Sequence, residues 1–268
     1  MSLWVDVYIM KSSCFGRCEL LFGLRKRLAL HFAGGMVRLS RRCVTVGTFW
    51  SFLVLQACQT IDSIPKDDSL YAPVEAGRYW VYEVQDETYS LSTPPVLNSY
   101  FLKETVGELV ANQADKTHKL IRYKRSRPTD VWKTDSIWTV QQWPNRLMRI
   151  ENSIAFIKLL FPVVASTSWN QNEYNRLSTA TYQYVQIGKD YAINGRNFAN
   201  TVQVINKQND STAISLNRQV DVYAYQIGLI FKENTVLAYC QSSPDCLGKG
   251  QIAYGYRRKQ WLVETGLE

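Results

Sequence analysis

Cysteine and histidine have the narrowest chemical uses of any side chains here, and they are few: six cysteines and two histidines in 268 residues. A cysteine thiol can be acylated, oxidised to a disulfide or bound to a metal. Cys240 and Cys246 flank Gln241-Ser242-Ser243-Pro244-Asp245, turn-forming residues that let the two thiols approach. A redox pair usually has about two residues between its cysteines, and a zinc site needs about four ligands. Besides His31 there is only His118, in Thr117-His118-Lys119, and nothing near it completes a Ser-His-Asp set. Asp86, Glu87, Glu104, Glu108, Asp130, Asp135, Glu151 and Glu173 could run glycoside hydrolysis in pairs. No spacing selects one pair among them. No glycine-rich phosphate loop is present. The pattern therefore singles out no catalytic residue, no metal ligand and no cofactor site.

Two other groups could bind a ligand. Arg122, Lys124, Arg125 and Arg127 form a basic cluster near Tyr123 and Trp132 that could meet lipid headgroups or an acidic glycan. The plainer reading is a solvated strand end and loop before Pro128. Trp132 and Trp138 stand at strand spacing, where they could stack on sugar rings, line an apolar groove or belong to the core.

Residues 36–58 assign one cysteine a role. Arg38, Arg41 and Arg42 are a positive leader, and Cys43 to Leu55 is an uncharged apolar stretch of signal-peptide length. It is shorter than the roughly 20 apolar residues of a transmembrane helix. It ends in Leu55-Gln56-Ala57-Cys58, which resembles the bacterial lipobox, with Gln56 where a small residue is usual. The resemblance implies cleavage before Cys58 and lipid on its thiol. Ser40-Arg41-Arg42 is similar to a twin-arginine signal, but the residues after it fit ordinary secretion better. A start at Met36 would give a signal peptide of ordinary length, with 1–35 an upstream extension. The expected organisation is 1–35 extension, 36–57 signal peptide, 58–70 lipidated tether and 71–268 folded domain.

That cut changes the charge and the cysteine count. The whole chain is formally +8, but residues 1–57 hold eight Lys/Arg and two Asp/Glu, leaving 23 basic and 21 acidic residues. A near-neutral domain has no general pull on phosphate backbones, which argues against nucleic acid as a partner. Of the cysteines after Cys58, only Cys240 and Cys246 remain, an even count in an oxidising compartment, which reads as a disulfide.

The elements that must position these residues read as strands. Arg78–Val84 places Trp80, Tyr82 and Val84 on one face and Tyr79, Val81 and Glu83 on the other. Lys119–Lys124, Val131–Val140 and Thr181–Ile187 alternate likewise, and Val131–Val140 would put Trp132, Thr134, Ser136 and Trp138 together. Asn194-Gly195 supplies the positive φ angles of a type I′ hairpin turn. Val220–Tyr225 and Leu229–Lys232 flank Gly228 like a strand with a bulge or bend, and Gln251–Tyr256 and Lys259–Val263 supply the last strands. Ile154–Phe161 is apolar enough for a buried strand or a short helix ended by Pro162; its neighbours favour a strand. The expected fold is mainly β, a single antiparallel curved sheet or barrel.

Ala76 to Val84, the run Val222 to Glu233 and the block Cys246-Leu247-Gly248-Lys249-Gly250 resemble uncharacterised Gram-negative envelope lipoproteins. The resemblance spans most of residues 71–263. It implies an envelope address, with the outer membrane expected on its periplasmic or surface face, and a β domain without a transferable catalytic motif. The leading reading is a membrane-anchored, non-catalytic protein binding lipid, glycan or an envelope protein. A carboxylate-dependent hydrolase of glycans or lipids and a structural component of an envelope assembly are the alternatives. A close carboxyl pair with one raised pKa would favour the hydrolase.

Overall fold

The computed structural model describes residues 66–91, 93–112 and 116–268. The extension, the signal segment, Cys58 and the first part of the tether lie outside the described residues. Among those described, thirteen strands form one antiparallel sheet, nearly closed into a barrel. The strands are β1 (Arg78–Ser90), β2 (Thr93–Asn112), β3 (Lys116–Arg125), β4 (Lys133–Trp143), β5 (Arg146–Glu151), β6 (Ile154–Leu160) and β7 (Ser168–Asn170). They continue with β8 (Thr181–Ile193), β9 (Arg196–Asn206), β10 (Asp210–Ser211), β11 (Ser215–Ala224), β12 (Gly228–Tyr239) and β13 (Ile252–Leu267). The order across the sheet is β6-β5-β4-β3-β2-β1-β13-β12-β11-β9-β8-β7, with β10 on β11. Neighbouring strands are mostly consecutive hairpins. The pairing of β1 with β13 joins the two ends of the domain.

One backbone hydrogen bond and the side chains of Trp169 and Tyr184, rather than a ladder, close the seam between the sheet's two edges. The Ile157 N–H donates to the Gln171 carbonyl at 3.0 Å, and the Trp169 indole N–H donates to the Ile157 carbonyl at 3.1 Å. The buried Tyr184 hydroxyl accepts from the Leu160 N–H at 2.7 Å and donates to the Leu160 carbonyl at 2.6 Å. An open strand edge leaves backbone groups unpaired, and these contacts satisfy them.

Residues 68–71, of which 68–70 were read from sequence as the end of the tether, are a 3-10 turn docked on the barrel. Tyr71 is fully buried and meets Tyr225 edge-on at 5.5 Å. The Asp68 carboxylate accepts from the Val163 N–H at 2.8 Å, and the Gln226 N–H donates to the Leu70 carbonyl at 2.7 Å. Together with Ala72, Pro73 and Val74 this segment plugs one end of the barrel, leaving beneath it an apolar pocket of ≈ 50 Å³.

Three local readings change. Val220 to Lys232 is not one bulged strand but a hairpin, with β11 ending at Ala224 and β12 starting at Gly228. Gln226 and Gly228 take positive φ, and a Cβ at Gly228 would lie 2.9 Å from the Trp80 indole nitrogen. Only glycine fits that approach. Gln251 to Val263 is one long strand rather than two. Trp132 precedes β4, and the register slips between Arg122 and Tyr123, where Asp135 is the extra residue of a bulge. The expected stripe of Trp132, Thr134, Ser136 and Trp138 therefore does not form. Ile154–Leu160 is a strand, Asn194-Gly195 is the turn between β8 and β9, and Cys240 and Cys246 form a disulfide with Cα atoms 5.7 Å apart.

Candidate ligand site at the mouth of the barrel

Along its inner face the sheet grades from apolar to charged. On β1 the face reads Trp80, Tyr82, Val84, Asp86 towards the open end, and on β2 the paired residues read Glu104, Leu102, Tyr100, Asn98. On β13, Gln260 pairs with Val84 and Arg258 with Asp86. Period-two alternation keeps each series on one face.

From the mouth into the middle of the barrel the charged residues form a continuous chain of ion pairs. Lys124 meets Asp135 at 3.0 Å, Asp135 meets Arg122 at 3.3 Å, and Arg122 meets Glu104 at 3.1 Å. The same Glu104 oxygen takes Arg149 at 2.8 Å, Arg149 approaches Glu151 at 3.8 Å, and Glu151 holds Lys158 at 2.9 Å. The bulge at Asp135 lets both Asp135 and Ser136 accept from Arg122. Arg122 also lies flat over Trp138, 3.6 Å from its ring centroid. A buried charge is tolerated only when paired and hydrogen-bonded, and here each one has an opposite charge beside it.

These neighbours set the titration. Burial pushes the Glu151 carboxyl up, but Lys158, Arg149 and Lys232 together pull it further down, to about 2. Burial also raises Asp135, and Lys124, Ser136 and Arg122 carry it below the usual carboxylate range. The hydrogen bond from Arg127 lowers Asp130. Burial draws the Lys158 ammonium down against the pull of Glu151. Burial raises the Tyr82 and Tyr223 hydroxyls well above their ordinary value, keeping them neutral. A glycosidase acid needs a carboxyl with a raised pKa. Glu151, Asp135 and Asp130 are all moved the other way, so the arrangement suits fixed ion pairs better than proton transfer.

Beyond this chain the barrel opens into a groove of ≈ 840 Å³ between the β3–β4 loop and Asp86 of β1, Asn98 and Tyr100 of β2 and Arg258 of β13. A second hollow of ≈ 380 Å³ adjoins it and shares Asp86 and Arg258. Donors and acceptors both line the groove, among them Asp86, Asn98, Tyr100, Lys124, Thr134 and Arg258. Two of its cations, and one in the adjoining hollow, are matched one to one. Arg127 pairs with Asp130 at 3.1 Å, Arg258 donates to Asp86 at 2.8 Å, and Arg257 pairs with Glu87 at 3.1 Å in the adjoining hollow.

The structure divides the basic cluster expected from sequence. Arg122 is inside the barrel, Lys124 and Arg127 are paired at the groove, and Arg125 stands over Trp132 with its guanidinium carbon 4.1 Å from the ring centroid. His118 is buried, with Nδ1 3.0 Å from the Gly107 carbonyl, a packing position. Of the carboxylates named from sequence, Glu104, Asp135 and Glu151 join the buried chain and Asp86 and Asp130 line the groove. Lys133, Asn98, Tyr100 and Arg258 were missed. The charge match of Asp86-Glu87 with Arg257-Arg258 was a signal for them, but only once β1 is paired with β13. Among the described residues no group of three or more His, Cys, Asp or Glu is placed to hold a metal ion, and no helix is long and apolar enough to cross a membrane.

No protein-family model and no curated protein sequence matches the chain. Among solved structures, one similar in shape is a crystal structure of a "putative lipoprotein" from Parabacteroides distasonis, with a TM-score of 0.39 and 10% identity. The match covers 75% of this chain and 100% of that one. A likeness of this degree establishes neither a shared family nor a shared function.

Proposed function

We propose that this chain is a membrane-anchored lipoprotein of the bacterial envelope, carrying lipid on Cys58, whose β domain is a non-catalytic module that binds a glycan at the mouth of the barrel. The observation that carries the ligand class is the groove of ≈ 840 Å³ lined by mixed hydrogen-bond donors and acceptors. Ligand sites commonly span about 300–1,000 Å³, and sugar hydroxyls both donate and accept. The apolar pocket under the plug, at ≈ 50 Å³, has room for little more than water. That disfavours an acyl chain as the cargo.

The address rests on the positive leader, the apolar core and Leu55-Gln56-Ala57-Cys58, with the outer membrane the expected destination. Eight residue steps separate Cys58 from Lys66, a reach of at most about 29 Å. Lys66 stands at the plugged end, over the rings of Tyr71 and Tyr225. An anchor on Cys58 would hold that end to the membrane and leave the mouth for a ligand beyond it.

The test is a screen of the full chain in detergent against immobilised oligosaccharides. Asn98→Trp, which fills the groove from an exposed position, is expected to abolish the binding found. Asn197→Trp, exposed at the β8–β9 turn, is expected to leave it unchanged. No bound glycan, or one insensitive to Asn98→Trp, overturns the ligand assignment.

A further inference from the structure

Two cations at the mouth have no carboxylate of their own. Arg125 and Lys133 both line the groove, and neither forms an ion pair among the described residues. Every other lysine or arginine around the groove does. Arg125 is set apart further. Its guanidinium is held over the Trp132 ring at 4.1 Å and near the Phe101 ring at 5.6 Å. Its Nε is buried with no hydrogen-bond partner. Stacking on an aromatic face fixes the plane of a guanidinium and preserves its charge, but it satisfies none of its in-plane donors. No carboxylate pairs with the guanidinium, so an incoming oxyanion at its terminal nitrogens would supply the charged acceptor that the protein does not. Asp130 and Asp135, carboxylates that line the same groove, are engaged by Arg127 and by Lys124 with Arg122.

We infer that Arg125 and Lys133 form an anion seat at the rim of the groove, so that the ligand is a saccharide bearing a carboxylate or phosphate. The inference rests on the glycan reading above and narrows it. The sugar's hydroxyls meet the paired residues of the groove, Asp86, Asn98 and Arg258. Its anionic substituent reaches Arg125, whose fork-shaped donors match two oxygens of one acidic group, while Lys133 adds a point charge. The site therefore discriminates by charge at the rim and by hydroxyl pattern within.

The experiment titrates the full chain with trigalacturonate, with its uncharged counterpart galactotriose and with inorganic phosphate. Trigalacturonate is expected to bind at least about tenfold more tightly than galactotriose, the scale of one charge-assisted contact. Raising the salt should weaken only trigalacturonate. Arg125→Ala should erase the preference and leave galactotriose binding within about twofold. Lys133→Ala, at an exposed position that cannot endanger folding, should reduce the preference in the same direction by a smaller factor. Equal binding of the two sugars, still abolished by Asn98→Trp, overturns the anion seat and leaves the glycan reading standing. Binding of neither sugar removes both. Inorganic phosphate binding as tightly as trigalacturonate overturns the saccharide assignment in favour of a free-anion site.

Discussion

The middle of the barrel and its mouth use the same side chains in opposite ways. Inside, Glu104 is only 5% exposed and serves Arg122 and Arg149 through one oxygen, and the chain of pairs runs on to Lys158. At the mouth, Arg258 meets Asp86 and Arg127 meets Asp130 one to one, with Arg258 52% and Arg127 79% exposed. Buried and shared, the charges bind the strands to one another, and removing any member strands its partners. Exposed and paired singly, they add little to stability and stay available to a ligand. The interior therefore holds the barrel's shape and the mouth is free to serve recognition.

Substitutions should separate the two regions. The largest effect is expected from Glu104→Ala, which takes from two buried guanidiniums the carboxylate they share and leaves them the longer contacts to Asp135 and Glu151. Breaking a buried pair costs about 3–5 kcal/mol, a fall in melting temperature of roughly 10 °C for a domain of this size. A loss under about 1 kcal/mol would place Glu104 with the mouth residues instead. The second effect is on acid stability. Glu151 has a folded pKa of about 2 against 4.5 for the free group. A depressed carboxylate pKa contributes stability that is complete above the unfolded value and lost as the pH falls through the folded one. The melting temperature should therefore drop between pH 4.5 and 2, and Glu151→Gln should flatten that drop.

Next comes Tyr184→Phe, which frees both backbone groups of Leu160 at the seam and should cost about 1–3 kcal/mol by chemical denaturation. The smallest effect belongs to Arg258→Ala. An exposed ion pair is worth about 0–1 kcal/mol, so stability should scarcely move while glycan binding falls. Strong destabilisation by Arg258→Ala would erase the distinction between the two regions.

The same distinction governs what could be read in the amino-acid order. Strands whose inner residues are apolar were legible, as in Arg78–Val84 and around Asn194-Gly195. Two strands with charged inner residues were legible as well, Lys119–Lys124 around Arg122 and Ile154–Phe161 around Lys158, but β2 and the continuity of β13 were not. β2 passes through Pro94-Pro95, Asn98 and Glu104, and β13 was divided at Arg257-Arg258, because prolines and charged or polar inner residues break the expected alternation. The β11–β12 turn lacks asparagine and proline and depends on Gln226 and Gly228 taking positive φ beneath Trp80. Glu104, Arg149 and Lys158 look like solvated positions until β2, β5 and β6 are brought around one interior. The mouth was half visible: its basic cluster stood out, but Asp86 and Asn98, which line the same groove, arrive from another hairpin. Which cation stays unpaired is decided only when every carboxylate has been placed.

The anchor is the claim on which the functional account stands, and mass spectrometry reaches it directly. The gene is expressed in a Gram-negative host, membranes are extracted with detergent, and the intact mass is measured. The account predicts a chain beginning at Cys58 with diacyl or triacyl lipid attached, lighter by the hydrogens lost in forming the Cys240–Cys246 bridge. A soluble, unprocessed chain beginning at Met1 would contradict it. It would place the basic N-terminal segment in the cytoplasm and return nucleic acid to consideration as a partner.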